Sequence, residues 1–131
     1  MSFQVINVPD LPEPGQFSHV VKKDKFVFIS GQTAHPEADA GQLDSMAQGK
    51  RIFNYLKTAI EAAGGTMGDI VKMNIFLTDG EQFSAIKKLR PLYFTPPYPA
   101  ITTVVVHSMV RRDLVMEIEA TAILDLSLIH I

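Results

Sequence analysis

The sequence predicts a single α/β domain over residues 1–131, with about six strands in one sheet and two helices on one of its faces. Three observations predict it. Residues 69–78 and 114–124 alternate apolar and polar with the period of a strand. Residues 43–63 and the segment after Asp79 carry helical spacing instead. Several other strands are apolar on both sides, which two helices on one face cannot cover.

Residues 3–8 form a short first strand, and Pro9, Pro12, Pro14 and Gly15 turn the chain in a loop. Phe17 to Lys22 and Lys25 to Ser30 follow as strands, paired through a tight turn at Lys23-Asp24. Gly31 ends the third strand, and a polar loop holds Pro36 and Gly41. Leu43, Met46, Ala47, Phe53, Leu56, Ile60 and Ala63 recur at three- and four-residue spacing and define the first helix. Gly49 is a weak point within it, costing about 1 kcal/mol against alanine. Gly64-Gly65 stops the helix with a left-handed cap.

In the strand after it, Val71, Met73, Ile75 and Leu77 share one face, and Lys72, Asn74, Phe76 and Thr78 the other. Asp79 caps the second helix with Gln82 as capping-box partner. Phe83, Ile86, Leu89 and Arg90 continue it until Pro91, which lacks an N–H and is expected to kink or end it early. Pro96-Pro97-Tyr98-Pro99 is a stiff connector to a β-branched strand, Ile101 to Val106. In the last strand Leu114, Met116, Ile118, Ala120 and Ala122 face one way, and Val115, Glu117, Glu119, Thr121 and Ile123 the other. Phe26 and Phe28 oppose Val27 and Ile29 across their strand, so both faces are apolar. A second copy of the chain is the simplest cover for the face without helices.

Composition narrows the function. The net charge of −2 and the small basic pairs Lys22-Lys23, Lys87-Lys88 and Arg111-Arg112 argue against a nucleic-acid partner. With no cysteine, disulfides, thiol nucleophiles and thiolate metal sites are excluded. His19, His35, His107 and His130 lack paired ligand spacing, so no metal is expected. No Walker or dinucleotide fingerprint appears, and Ser30 in Ser-Gly-Gln is not a nucleophile elbow. No apolar run suits a signal peptide or a membrane span, so the expected location is cytoplasmic. Leu126, Leu128, Ile129 and Ile131 make an unusually apolar tail, suited to packing on a neighbour or extending the last strand.

Glu117 and Glu119 remain as candidates for chemistry, two apart and so on one strand face. Burying such a carboxyl against a neighbour raises its pKa into the range of a general acid or base. An open, solvated face gives it no such role.

The sequence resembles the RidA/YjgF (Rid) family of imine and enamine deaminases. The resemblance rests on Phe28-Ile29-Ser30-Gly31-Gln32, Ala59-Ile60-Glu61-Ala62-Ala63-Gly64 and Gly68-Asp69-Ile70-Val71-Lys72 leading to Phe76-Leu77. Pro99-Ala100 and Glu117-Ile118-Glu119-Ala120 complete it, so it runs from about Phe17 to Ala122. The resemblance implies an α+β, chorismate-mutase-like (YjgF-like) fold with a mixed sheet. It also implies a homotrimer with ligand sites in inter-subunit clefts, hydrolysis of 2-imino acids to keto acids and ammonia, and no cofactor.

The resemblance implies a catalytic Glu117 associated with water, and a cleft lined by Phe17, Ser30, Gly31, Gln32, Lys87, Ile101 and Thr102. The family's carboxylate-binding arginine aligns with Ile101, its aromatic hydroxyl with Phe17, and its helix asparagine with Lys87. These departures point to an imine or enamine substrate other than the usual 2-imino acids, with Lys87 able to replace the missing charge and Thr102 or Thr103 able to bind an uncharged ligand. The alternative is a non-catalytic trimeric module that holds a small ligand in the same cleft. RNA cleavage, reported for the family under a ribonuclease label, is disfavoured by the acidic balance.

Overall fold

The computed structural model describes residues 2–125. Six strands form one sheet: β1 (Gln4–Ile6), β2 (Val20–Lys23), β3 (Phe26–Gln32), β4 (Ile70–Leu77), β5 (Ala100–Val105) and β6 (Met116–Ile123). Their order is β1-β2-β3-β6-β4-β5. Only β4 and β5 are parallel; the other neighbours are antiparallel, so the sheet is mixed. Helices α2 (Ser45–Ala62) and α3 (Phe83–Tyr93) form the main covering layer, and a short α1 (His35–Asp39) precedes them. The apolar tail from Leu126 to Ile131 lies outside the described residues. No described helix is long and apolar enough to cross a membrane.

The alternation in the sequence separates the two faces. Val27 and Ile29 of β3 are buried with Ile52, Phe53 and Leu56 of α2, whereas Phe26 and Phe28 are exposed on the far face. In β6, Met116, Ile118, Ala120 and Ala122 are buried, while Glu117, Glu119, Thr121 and Ile123 are partly open. The β2–β3 hairpin turns at Asp24-Lys25, with Lys23 paired to Phe26. Asp24 takes φ 54°, a left-handed conformation that a short polar side chain tolerates.

Several local expectations are corrected. Phe17 lies in the loop before β2 rather than in the strand, which starts at Val20. Gly31 does not end β3: the strand continues to Gln32 through an irregularity in its pairing with β6 between Ile29 and Gln32. The polar loop around Pro36 contains α1, because proline is compatible with the first helical turn. Leu43 precedes α2 and is exposed, since Asp44 is the N-cap and accepts from the Ala47 N–H at 3.0 Å. Val71 is exposed rather than sharing the buried face, because β4–β6 pairing shifts register between Ile70 and Lys72 and buries Ile70 instead.

Pro91 does not stop α3, which continues to Tyr93 and closes with the Phe94 N–H donating to the Arg90 carbonyl at 2.9 Å. A proline this close to the helix end removes one backbone donor but leaves the final turn otherwise bonded. Gly49 has a packing role: a Cβ there would lie 2.7 Å from Leu89 Cδ1 and 3.3 Å from Met116 Sδ. Its bare backbone thus lets α2 approach α3 and β6 together. The end of α2 follows the sequence. Gly64 takes φ +91°, the Gly64 N–H donates to the Glu61 carbonyl, and the Gly65 N–H donates to the Ile60 carbonyl. That is a Schellman cap.

Gln48, at 0% exposure, is the main polar tie inside the core. Its Nε2 donates to the carbonyls of Gln42 (2.9 Å) and Asp113 (2.8 Å), and its Oε1 accepts from the Val115 N–H (2.9 Å). The amide therefore holds α2 to the chain entering β6. Replacing it with leucine would keep an approximate shape and leave those buried backbone groups unsatisfied. We expect Gln48→Leu to lower unfolding stability by about 3 kcal/mol, read as a lower urea midpoint at unchanged slope.

Candidate functional site

The central strand β6 lies between β3 and β4, and it places Glu117 opposite Phe76 and Glu119 opposite Asn74. Both carboxylates project from the face without helices, as the period-two pattern predicts. On the β3 side Glu117 meets Gly31. A Cβ on residue 31 would fall 2.3 Å from Glu117 Oε2, so the glycine makes room for the carboxylate. Among the described residues no side chain or backbone donor is bonded to Glu117. Burial pushes its pKa up, and the neighbouring charge of Glu119 adds to the effect.

Phe17, Gly31 and Gln32 come together with His19, Thr33 and His35 around a cavity of about 240 Å³. The Phe17 ring meets His19 edge-on, with centroids 5.3 Å apart. Gln32, buried to 2% exposure, donates from Nε2 to the Ser30 carbonyl (3.0 Å) and to His19 Nδ1 (3.2 Å). The far nitrogen of His19 bonds the Pro12 carbonyl. A carbonyl only accepts and the amide nitrogen only donates, so His19 carries its proton on Nε2 in this arrangement. Ser30 Oγ donates to the Ser18 carbonyl at 2.6 Å. The Ser30 hydroxyl and the Gln32 amide nitrogen thus bond within the chain, while Gly31 and Phe17 line the cavity.

The other predicted residues are not brought to this cavity within one chain. Ile101 pairs with Met73, half-buried against the core. Thr102 lies on the opposite, open face, where its hydroxyl accepts from Lys72 Nζ at 2.9 Å. Lys87 sits on α3, its Nζ 6.0 Å from the Phe83 ring centroid. Lys87 and Glu117 therefore occupy different layers of one chain, the helical layer and the open sheet face. Lys72, His19 and His35 had no site role in the sequence reading. Alternation placed Lys72 on one face of its own strand, but strand pairing was needed to put that face on the side of Glu117 and to set Lys72 beside Thr102. Nothing in sequence spacing links His19 to Gln32. Among the described residues, no three His, Cys, Asp or Glu side chains are grouped to hold a metal ion.

The family model described as endoribonuclease L-PSP matches residues 10–124. A 2-iminobutanoate/2-iminopropanoate deaminase of Dermatophagoides farinae is 32% identical over 127 residues, covering 93% of this chain and 97% of that protein. A RutC family protein of Pyrococcus abyssi is 31% identical over 126 residues, covering 93% and 98%. The crystal structure of RidA from the Antarctic bacterium Psychrobacter has 33% identity and a TM-score of 0.84, covering 92% of this chain and 99% of that one. With one family model spanning most of the fold and relatives aligned along nearly their whole length, the chain belongs to the RidA/YjgF family.

Proposed function

We propose that the protein is a Rid-type hydrolase that clears reactive imine or enamine metabolites in the cytoplasm. The observation that carries this reading is Glu117: a half-buried carboxyl, raised in pKa and unbonded among the described residues, beside Gly31. In the reaction, water adds to the C=N carbon as the nitrogen takes a proton. The carbinolamine then breaks its C–N bond to release a carbonyl compound and ammonia. A carboxyl with a raised pKa suits both proton transfers, accepting from water and donating to the leaving nitrogen. The named deaminase relative supports this chemistry at the level of the family. No cofactor is assigned a part in it.

Ile101, at the position aligned with the family's arginine, directs the substrate away from the usual 2-imino acids, because an alkyl side chain offers no bidentate partner to a carboxylate. The working form in this proposal is a homotrimer with its open sheet faces turned inward. Phe26 and Phe28, at 40% and 46% exposure, support such burial. Inter-subunit clefts would then bring α3 and Lys87 of one copy toward the Glu117 face of another. Internal use of the Ser30 hydroxyl and the Gln32 amide favours the second reading, a non-catalytic small-ligand module, over a site rich in free polar groups.

Three measurements test these statements. With imines that carry no carboxylate, generated by an amine oxidase, the protein should accelerate hydrolysis, and Glu117→Gln should cut the rate about 100-fold or more. No acceleration of any imine would leave the binding module as the surviving reading. Because the folded pKa of Glu117 is raised, its favourable contribution is present below the unfolded pKa and lost as pH rises through the folded value. Glu117→Gln should therefore raise the melting temperature at neutral pH, with the gain shrinking in mild acid. Finally, Phe28→Glu should reduce a three-chain particle to smaller species by light scattering, since a buried, unpaired charge is strongly disfavoured.

A further inference from the structure

The helical layer carries a charge that the whole chain does not. α2 and α3 each hold three lysine or arginine residues, and their one acid is Glu61, whereas the full sequence has a net charge of −2. Between the two helices runs an open groove of about 480 Å³. Met46, Lys50, Asn54 and Lys57 line it from α2, and Leu92 and Tyr93 from α3, over Leu89. The α2 positions recur at four- and three-residue spacing, so they form one stripe along that helix. Leu92 is 74% exposed, while Leu89 beneath is buried. The Tyr93 ring stacks on Phe53 with centroids 5.1 Å apart, and its hydroxyl donates to Asn54 Oδ1 at 2.7 Å. That bond uses the carbonyl end of the Asn54 amide and leaves its nitrogen end as a donor. Lys50 has no ion pair among the described residues, and Lys57 meets Glu61 at 3.1 Å in a pair exposed on both sides. Such a pair holds weakly and yields to a competing anion. Asp44, just before α2, is engaged as its N-cap. No carboxylate lines the groove.

We propose that this groove binds a small amphiphilic carboxylate with an alkyl body of medium length. The alkyl body lies on Met46, Leu89, Leu92 and the Tyr93 ring, and the carboxylate sits near Asn54. Lys50 and Lys57 are two turns apart, about 10.5 Å along the axis, with Asn54 between them. Both long side chains reach a carboxylate placed there, and the Asn54 amide nitrogen adds a donor. The charge of Lys57 already acts on the Tyr93 hydroxyl, where it opposes the rise in pKa that burial causes. An apolar wall with a few convergent polar groups, in a volume of this size, is the usual make-up of a small-ligand site. Charge decides which amphiphile fits. A neutral chain gains only the apolar contacts, and a cationic one is repelled. The groove lies in the helical layer and Glu117 on the opposite sheet face, so the site stands whether or not imine hydrolysis is the activity of the protein.

The test is calorimetric titration of the full chain with octanoate below its micelle-forming concentration. Octanol (chain without charge) and acetate (charge without chain) are titrated separately at matched ionic strength. Octanoate should bind saturably, and at least about tenfold more tightly than either. The double variant Lys50→Met, Lys57→Met should weaken octanoate about tenfold and leave octanol unchanged. Leu92→Glu should abolish octanoate binding, by removing the apolar wall and adding a like charge. Leu92 is exposed, so circular dichroism should show the fold retained. Absence of saturable octanoate binding, or affinity unchanged in Leu92→Glu, would overturn the proposal. Octanol binding as tightly as octanoate would overturn the carboxylate assignment. A change of particle mass in Leu92→Glu by light scattering, with no octanoate binding to the parent protein, would assign the groove to a contact between copies of the chain instead.

Discussion

The buried amide of Gln48 is the constraint on which the rest of this structure depends. Its three hydrogen bonds join α2 to the chain on either side of it: Gln42 before the helix, and Asp113 and Val115 before β6. β6 is the strand that pairs with both β3 and β4, so its position governs the middle of the sheet. The adjacent Gly49 lets Leu89 and Met116 close over the same point. A polar group at 0% exposure is tolerated there because both ends of the amide are bonded. The same tie leads directly into Glu117, two residues after Val115, and so links the packing of the helical layer to the carboxylate on the other face.

That other face presents an unusual mixture for an exposed sheet. Phe26 and Phe28 stand open, and Glu117 is partly desolvated even within one chain. A solvated strand face would leave a carboxylate at its ordinary pKa. Crowding by Gly31 and β3 on one side and Phe76 on the other removes part of its water, and the like charge of Glu119 acts in the same direction. Burial and a like charge thus raise the pKa of Glu117, with no fixed cationic partner beside it among the described residues. Gly31 contributes by what it lacks, since any side chain there would occupy the carboxylate's place.

Local rules were sufficient where a single side chain or backbone group decided the outcome. Asp79 and Gln82 form the capping box that their spacing predicts, with the Asp79 N–H donating to Gln82 Oε1 at 3.2 Å. The Schellman cap at Gly64 and the face division in β6 are of the same kind. Local rules failed where pairing or packing competed. The register shift at Ile70–Lys72 turned Val71 outward, and the irregularity after Ile29 carried β3 past Gly31. Pro91 was misleading because its cost falls on one bond near the end of a helix otherwise anchored by Ile86 and Leu89.

By itself, the sequence determined the six strands and the two longer helices, the buried and open faces of β6, the capping box at Asp79 and Gln82 and the C-terminal stop of α2. Each follows from period, side-chain chemistry or a left-handed glycine, all of which are encoded within a few residues. Its family motifs also identified Glu117, Gly31 and Phe17 as candidates. Only the tertiary structure decided that Gly31 abuts Glu117, that Gln32 is committed to His19 and Ser30, and that Ile101 leans on the core while Thr102 meets Lys72. It alone set Tyr93 beside Asn54 in the groove between α2 and α3. These outcomes depend on strand order, register and close packing between segments far apart in the chain, and no local spacing carries that information.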